Sequence, residues 1–450
     1  MYSCTECGMS YTKWVGKCGG CGNWNTLVEE TESAPSFFGK KAQKKSKSSE
    51  SLKLLDISEI ESKTEDRIQS NLPELDMVLG GGFVKGSTVL IGGDPGIGKS
   101  TLLIQTVQNL SDRYKCVYVT GEESLNQVAM RAKRLGGNKE SSFKISCGGC
   151  VEKIIKTIEA EQVDFLIIDS IQTMYLEAIE SQPGSVSQLK AATYELMNYC
   201  KSREIILILV GHVTKDGQLA GPKLLEHMVD VMLYFDGENN NHFRILRGIK
   251  NRFGAANEMG IFQMSDAGLR CITNPSEIFL STTKDDIQGR IAFATFEGSR
   301  SVLLEIETLT SPSFIPNPRR TTVGWDNNRL NMMIAILSAK CGLNFSDKDV
   351  YLSILGGMKT SDPAADLAVC ISLVSSLKKE KILQSTIAIG EMSLSGEIRT
   401  VFQIERRVSE AIKLGFKNII IPQGSLKIKP KDAEITEIKS VSGILKVLGI

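Results

Sequence analysis

Short, almost uninterrupted apolar runs alternate with segments of helical periodicity through the middle of this chain. Ser87 to Ile91 reads as a buried strand and Leu102 to Val107 as the opening turns of a helix. Lys115–Thr120, Asp164–Asp169, Glu204–Val210, Val229–Phe235 and Phe243–Ile249 read as strands, with helices over Leu125–Leu135 and Gln188–Lys201. Strands this apolar are covered on both faces, which predicts an α/β fold with a mostly parallel sheet flanked by helices. After Cys271 the pattern changes, and Asn274-Pro275-Ser276 reads as a boundary. Beyond it, strands at Ile291–Phe296, Ser301–Thr308 and Thr386–Ile389 mix with helices at Arg329–Cys341, Ala364–Leu377 and Val401–Leu414, an α+β pattern. From Thr31 to Lys53 the chain is polar and basic, cannot form a core, and reads as a flexible linker. The expected divisions are 1–30, 31–55, 56–272 and 273–450.

The turn between the first strand and its helix carries Gly93-Asp94-Pro95-Gly96-Ile97-Gly98-Lys99-Ser100-Thr101, which fits the phosphate-binding loop G-x-x-x-x-G-K-[ST]. Its glycines let backbone N–H groups turn inward toward a phosphate, and the helix N-terminus adds partial positive charge. Lys99 is expected to reach the β- and γ-phosphates of ATP, and the Ser100 hydroxyl to hold Mg²⁺. Asp169 closes an apolar strand and fits the acid that holds Mg²⁺ through water. Glu122 and Glu123 follow another strand, and either one is placed to orient the attacking water. His212 follows the Glu204–Val210 strand, as a γ-phosphate sensor or as a structural histidine.

Composition narrows the class. With 53 basic and 52 acidic residues among 450, bulk charge does not announce a nucleic-acid partner. No apolar run approaches the roughly 20 residues that span a bilayer, and the first residues do not read as a secretion signal, so no membrane association and a cytoplasmic location are expected. Eleven cysteines then point to reduced thiols and metal binding rather than disulfides. Cys4-x2-Cys7 and Cys18-x2-Cys21 are matched pairs beside glycines, a donor set suited to one structural Zn²⁺ in a closed site. About thirty residues bury little core, so metal ligation would supply folding energy. Trp14 and Trp24 are expected to pack around the two knuckles, and a closed site points to partner or DNA contact rather than catalysis. Cys147-Gly-Gly-Cys150 is a lone pair and reads as ordinary thiols near a strand end, while Cys116, Cys200, Cys271, Cys341 and Cys370 read as core.

The four cysteines, Gly93–Thr101, Gly121-Glu122-Glu123-Ser124, Ile168-Asp169-Ser170 and Lys250-Asn251-Arg252-Phe253-Gly254 occur in this order. Together they resemble the bacterial RadA (Sms) family of RecA-like ATPases in DNA recombination and repair. The resemblance covers essentially the whole chain and implies a RecA-like core assembled as a hexameric, helicase-like ring with ATP between subunits. It also implies branch migration of recombination intermediates, acting on single-stranded and branched DNA together with RecA. By the same resemblance Glu122 rather than Glu123 is the water-activating residue. Lys250 reaches the neighbouring subunit's γ-phosphate, and Arg252 is the second candidate for that role or for coupling hydrolysis to DNA.

The C-terminal portion resembles the proteolytic domain of Lon, whose serine–lysine dyad would fall on Ala364 and Glu405 here. Neither side chain can do that chemistry, so no peptidase activity is expected. Arg319, Arg320, Arg329, Lys340, Arg399, Arg406 and Arg407 are candidates for a DNA-facing basic surface. A DNA-dependent motor is thus the leading expectation. An ATP-dependent peptidase and a RecA-like regulatory scaffold are the alternatives.

Overall fold

The computed structural model describes residues 2–4, 10–11, 13–20, 22–24, 26–29, 56, 66–136, 143–212, 223–237, 243–274, 276–281 and 286–450. Cys7, Cys21, Pro275 and the predicted linker 31–55 lie outside the described residues. The chain divides into two compact units. One comprises Met1–Asp236, Ile245–Ala256 and Met264–Arg270, the other Gly237–Arg244, Asn257–Gln263 and Cys271–Ile450.

The first unit opens with a small antiparallel sheet of β1 (Tyr2–Cys4), β2 (Ser10–Tyr11) and β3 (Leu27–Glu29), ordered β2-β1-β3. After α1 (Pro73–Val78) the alternation predicted from the sequence appears: β4 (Thr88–Gly93), α2 (Lys99–Leu110), β5 (Cys116–Thr120), α3 (Leu125–Arg134), β6 (Lys144–Cys147), α4 (Val151–Glu161), β7 (Phe165–Asp169), α5 (Val186–Ser202), β8 (Ile206–Val210), α6 (Lys223–Met228) and β9 (Val231–Asp236). Strands β9, β4, β8, β7, β5 and β6 lie side by side in that order, all parallel. Every residue of β4, β5, β7 and β8 is buried, which is why these strands read as continuous apolar runs. Next, β10 (Phe243–Asn251) returns antiparallel along β9 with a bulge between Gly248 and Lys250. Strands β11 (Met259–Ser265) and β12 (Gly268–Cys271) follow. Helix α2 turns Leu102, Leu103, Ile104, Val107 and Leu110 inward, each worth about 1.5–3 kcal/mol on burial. Its outer side is tied down by Gln105, whose side chain bonds both the N–H and the C=O of Leu269 at 2.9 and 3.2 Å.

The second unit holds α7 (Ser276–Phe279), β13 (Ile287–Gln288), β14 (Arg290–Glu297), β15 (Arg300–Pro312), β16 (Arg320–Val323), α8 (Asn327–Cys341), β17 (Lys348–Ile354), α9 (Asp366–Lys378), β18 (Lys381–Ile382), β19 (Thr386–Ala388), β20 (Glu391–Met392), β21 (Ile398–Arg399), α10 (Ile404–Lys413), β22 (Asn418–Pro422), β23 (Glu434–Ile438) and α11 (Gly443–Val447). Its main sheet is mixed, ordered β16-β17-β15-β14-β19-β22-β23. Helix α9 is buried from Asp366 to Ser375, so its sequence is apolar all round instead of amphipathic. Ala364 sits among Ile404, Val408, Ile387 and Ile389 in the core beneath α10.

Several expectations need correction. Trp14 and Trp24, expected to pack around the two knuckles, are 53 % and 69 % exposed and flank Gly16, with the Lys17 ammonium 5.8 Å from the Trp24 ring centre. Cys271 and Cys341 are half-buried rather than core. Glu204 and Ile205 precede β8: Glu204 takes φ 57° in the turn that leaves α5, and the strand starts only at Ile206.

Candidate active site

The phosphate loop joins β4 to α2 at the carboxyl end of the parallel sheet, where α/β sheets gather ligand groups. Gly93 has φ 151°, and a Cβ there would lie 2.5 Å from the Phe235 carbonyl oxygen, so only glycine fits. Gly98 takes φ 116° as the N-cap of α2. Ile97 is buried and anchors the loop, leaving Asp94, Pro95 and Gly96 as its exposed crest. Ser100 and Thr101 lie in the first turn of α2. The Lys99 ammonium folds back onto the loop and donates to the carbonyls of Gly93 at 2.7 Å and Asp94 at 2.9 Å. Burial lowers its pKa, while the carboxylates of Asp169, Asp94 and Glu122 resist that shift.

Asp169 ends β7, buried and next to this lysine. The Tyr118 hydroxyl donates to it, and burial together with Asp169 holds that phenol well above its usual pKa. The Ser100 side chain pulls the same pKa the other way, so one phenol answers to both expected Mg²⁺ groups. Nothing singled it out in the sequence; the available signal was a tyrosine in a wholly buried strand, whose hydroxyl needs a partner.

The two glutamates after β5 separate in space. Glu123 pairs with Arg131 of α3 at 2.6 Å and is thereby held against the helix. Glu122 accepts from the Ser170 hydroxyl, one residue beyond Asp169, and its two oxygens lie 2.9 and 3.1 Å from His212 Nε2. His212 Nδ1 is buried and finds no hydrogen-bond partner among the described residues. Thr120 Oγ1 accepts from the N–H of Glu123 at 2.9 Å and shapes the turn.

Lys250 and Arg252 are not part of this cluster. Lys250 pairs with Met232, which pairs with Leu90, three residues before Gly93 and so about 10 Å back along the sheet. Its ammonium donates to the carbonyls of Glu226 at 2.7 Å and His227 at 3.2 Å, at the end of α6. Burial, then Arg252, pulls its pKa down. Arg252 pairs with Asp230 at 3.0 Å. The neighbouring Asn251 and Gly254 fix the turn: Asn251 donates to the Val78 carbonyl at 3.3 Å, and a Cβ on Gly254 would meet Gly80 at 3.1 Å.

Cys4, at the end of β1, and Cys18, in the segment between β2 and β3, are both buried. The Gly20 N–H donates to Cys18 Sγ at 3.4 Å, the kind of partner a metal-bound thiolate takes. These two sulfurs fit the zinc set; Cys7 and Cys21 lie outside the described residues.

In the second unit Arg319 is exposed, and Arg320 reaches Asn331 at 3.1 Å. Arg329 makes a two-pronged pair with Asp366, at 2.6 and 2.7 Å, and Asp366 is fully buried. Arg407, read as a surface charge, is 3 % exposed: it pairs with Asp362 at 2.7 Å, donates to the Ala294 carbonyl and stacks on Phe296. Glu405 is exposed on the first turn of α10.

A glycine-cradled loop, a buried lysine and a strand-end aspartate define a P-loop ATPase with a RecA-like core, joined to an N-terminal zinc ribbon and a C-terminal domain of the ChlI type. Residues 54–218 match the AAA domain family, 321–425 the ChlI subunit of Mg-chelatase, and 2–29 the rubredoxin metal binding domain. The chain is 48 % identical to the DNA repair protein RadA of Rickettsia bellii, over 93 % of this chain and 92 % of that one. It is 46 % identical to RadA of Pseudomonas aeruginosa over 96 % and 94 %, and 46 % identical to RadA of Bacillus subtilis over 99 % and 97 %. The chain belongs to the RadA family of DNA repair proteins. Among the described residues no helix is long and apolar enough to cross a membrane.

Proposed function

We propose that the protein is a DNA-dependent ATPase motor whose subunits form a ring, hexameric by family resemblance, that moves branch points of recombination intermediates in concert with RecA. The observation that carries this reading is the place of Lys250. It lies two strands over from β4 and level with Leu90, about 10 Å back from its own phosphate loop, its ammonium spent on helix-end carbonyls. Set back from the nucleotide of its own chain, it is a partly buried cation near the end of β10, just before a turn fixed by Asn251 and Gly254. A neighbouring subunit's nucleotide would give it a task.

In this reading the N–H groups of Gly93–Thr101 cradle the ATP phosphates, and Lys99 exchanges the Gly93 and Asp94 carbonyls for phosphate oxygens. Ser100 and Asp169 would hold Mg²⁺, which when bound neutralises charge on the phosphates. Glu122, steadied by Ser170, accepts a proton from the attacking water, and His212 sets which way its carboxylate faces. Lys250 of the adjacent subunit meets the negative charge of the transferred phosphoryl group, with Arg252 beside it. The absence of a nucleophile at Ala364 and of a lysine at Glu405 supports a C-terminal domain without peptidase activity. Arg319 and Arg320 are its best-placed phosphate contacts. Cys4, Cys7, Cys18 and Cys21 would hold Zn²⁺ in a module that meets a partner or DNA.

The test measures ATP turnover with and without single-stranded DNA, alongside branch movement on a synthetic three-strand junction. Stimulation by DNA and ATP-dependent branch movement are expected. Turnover indifferent to DNA, with a static junction, would leave a regulatory ATPase instead.

A further inference from the structure

The Cys147-Gly148-Gly149-Cys150 turn takes no part in hydrolysis, yet it is built against the residues that do. Cys147 ends β6 with its backbone paired to Thr120, and the Gly148 N–H donates to the Thr120 carbonyl at 3.0 Å. Thr120 in turn shapes the Glu122–Glu123 bend. Cys147 is exposed, with Sγ 3.9 Å from the Glu123 carbonyl. On the other side the Gly149 carbonyl accepts from the Tyr175 N–H at 2.8 Å, on the segment that follows Asp169 and Ser170. Cys150 is the buried N-cap residue of α4, its thiol 3.3 Å from Glu152 and 3.5 Å from Glu177. Both cysteines line one cavity of about 220 Å³, walled also by Val117, Val119, Lys153 and Tyr175.

We propose that Cys147 and Cys150 form a reversible dithiol–disulfide site, oxidised by low-molecular-weight disulfides, whose closure disturbs the Glu122 bend. Cys147 gives up its proton, and its thiolate attacks one sulfur of the small disulfide. That S–S bond breaks, and one small thiol leaves with a proton. Cys150 then loses its proton and attacks the Cys147 sulfur, expelling the second small thiol. Two electrons and two protons pass from the protein thiols to the small disulfide. Burial, with Glu152 and Glu177, raises the Cys150 thiol, so Cys147 is the one that attacks first. The cavity gives the sulfurs room, and the two intervening glycines let the backbone bend. Bonding to Cys150 must draw Cys147 Sγ away from Glu123, and Thr120 is tied to that movement.

The full-length protein is treated with oxidised glutathione and digested without reduction. Peptide mapping by mass spectrometry should find Cys147 bonded to Cys150. ATP turnover should fall about tenfold or more, since ~1 Å of misplacement at a reacting group costs up to about 10²-fold, and recover with dithiothreitol. Cys147→Ser, an exposed side chain outside the hydrolytic cluster, should turn over at the wild-type rate and ignore the oxidant. An equal loss in Cys147→Ser would place the sensitivity in other cysteines and overturn the proposal. So would a Cys147–Cys150 bond without effect on turnover, or Cys147 found only as a mixed disulfide. The turnover arm rests on Glu122 acting on water. A Glu122→Gln chain at full turnover refutes that role, whereas a mapped bond with reversible loss in the wild type still upholds this site.

Discussion

Arg329 was a candidate DNA contact in the sequence, and its geometry makes a different, measurable demand. Its guanidinium spans both oxygens of Asp366, a carboxylate with no exposed surface in the first turn of the buried helix α9. The Met392 N–H also donates to that carboxylate, at 3.0 Å. Arg329→Ala strands the charge in the core. Breaking a buried pair costs about 3–5 kcal/mol, and the 25 % exposure of the arginine side chain puts this one near 3. For a unit of this size that is a fall of roughly 6–12 °C in melting temperature. Burial pushes the Asp366 carboxyl above the usual carboxylate range, with Arg329 and Met392 pulling the other way. Without Arg329 the neutral form gains further. A carboxyl whose folded pKa exceeds its unfolded value stabilises the fold at low pH, and that stability is lost as pH rises through the folded pKa. The deficit of the variant should therefore be largest at alkaline pH and shrink as the solution is acidified. Asp366→Asn in the same chain should recover much of the loss. The assay is thermal unfolding across pH, paired with DNA affinity against salt. An unchanged melting temperature together with a salt slope shallower by about one unit would show a phosphate contact and refute the structural reading.

Arg319→Ala with Arg320→Ala should show the reverse pattern: stability within about 0.5 kcal/mol of the parent and a shallower salt slope of DNA binding. Glu122→Gln should lower turnover by about 10²–10⁴-fold with nucleotide affinity kept, whereas Glu123→Gln, losing only a partly exposed pair with Arg131, should change it little; equal losses in single-turnover hydrolysis would mean that the two acids were misassigned. Lys250→Ala and Lys99→Ala should each be inactive alone, but mixing them should restore some turnover at seams that pair an intact Lys99 with an intact Lys250; a mixture as dead as its parts would argue against action between subunits. Zinc removal by a chelator should melt the small N-terminal module holding Cys4 and Cys18 while nucleotide binding at Gly93–Thr101 persists, as followed by far-UV circular dichroism and nucleotide fluorescence.

Local signals were enough for much of this protein. The phosphate loop is contiguous, and its glycines and lysine are specified by what a backbone must do around a phosphate. The parallel sheet was legible because strands covered on both faces cannot hide their apolar runs, and the paired cysteines carry their spacing in plain view. What the sequence could not decide were choices between neighbours and between surfaces. Glu122 and Glu123 are chemically alike, and the positions of Arg131 on α3 and of Ser170 and His212 just beyond the ends of β7 and β8 separate them. Tyr118, 51 residues from Asp169, becomes its partner through the pairing of β5 with β7. Arg329 and Arg407 look like Arg319 in the chain, yet the fold sets a buried carboxylate opposite the first and a half-buried one opposite the second. Lys250 is remote from the phosphate loop because β10 runs antiparallel along β9. Residue type and spacing set the backbone's local geometry; which charges meet depends on distances across the sheet, and these exist only once the chain has folded.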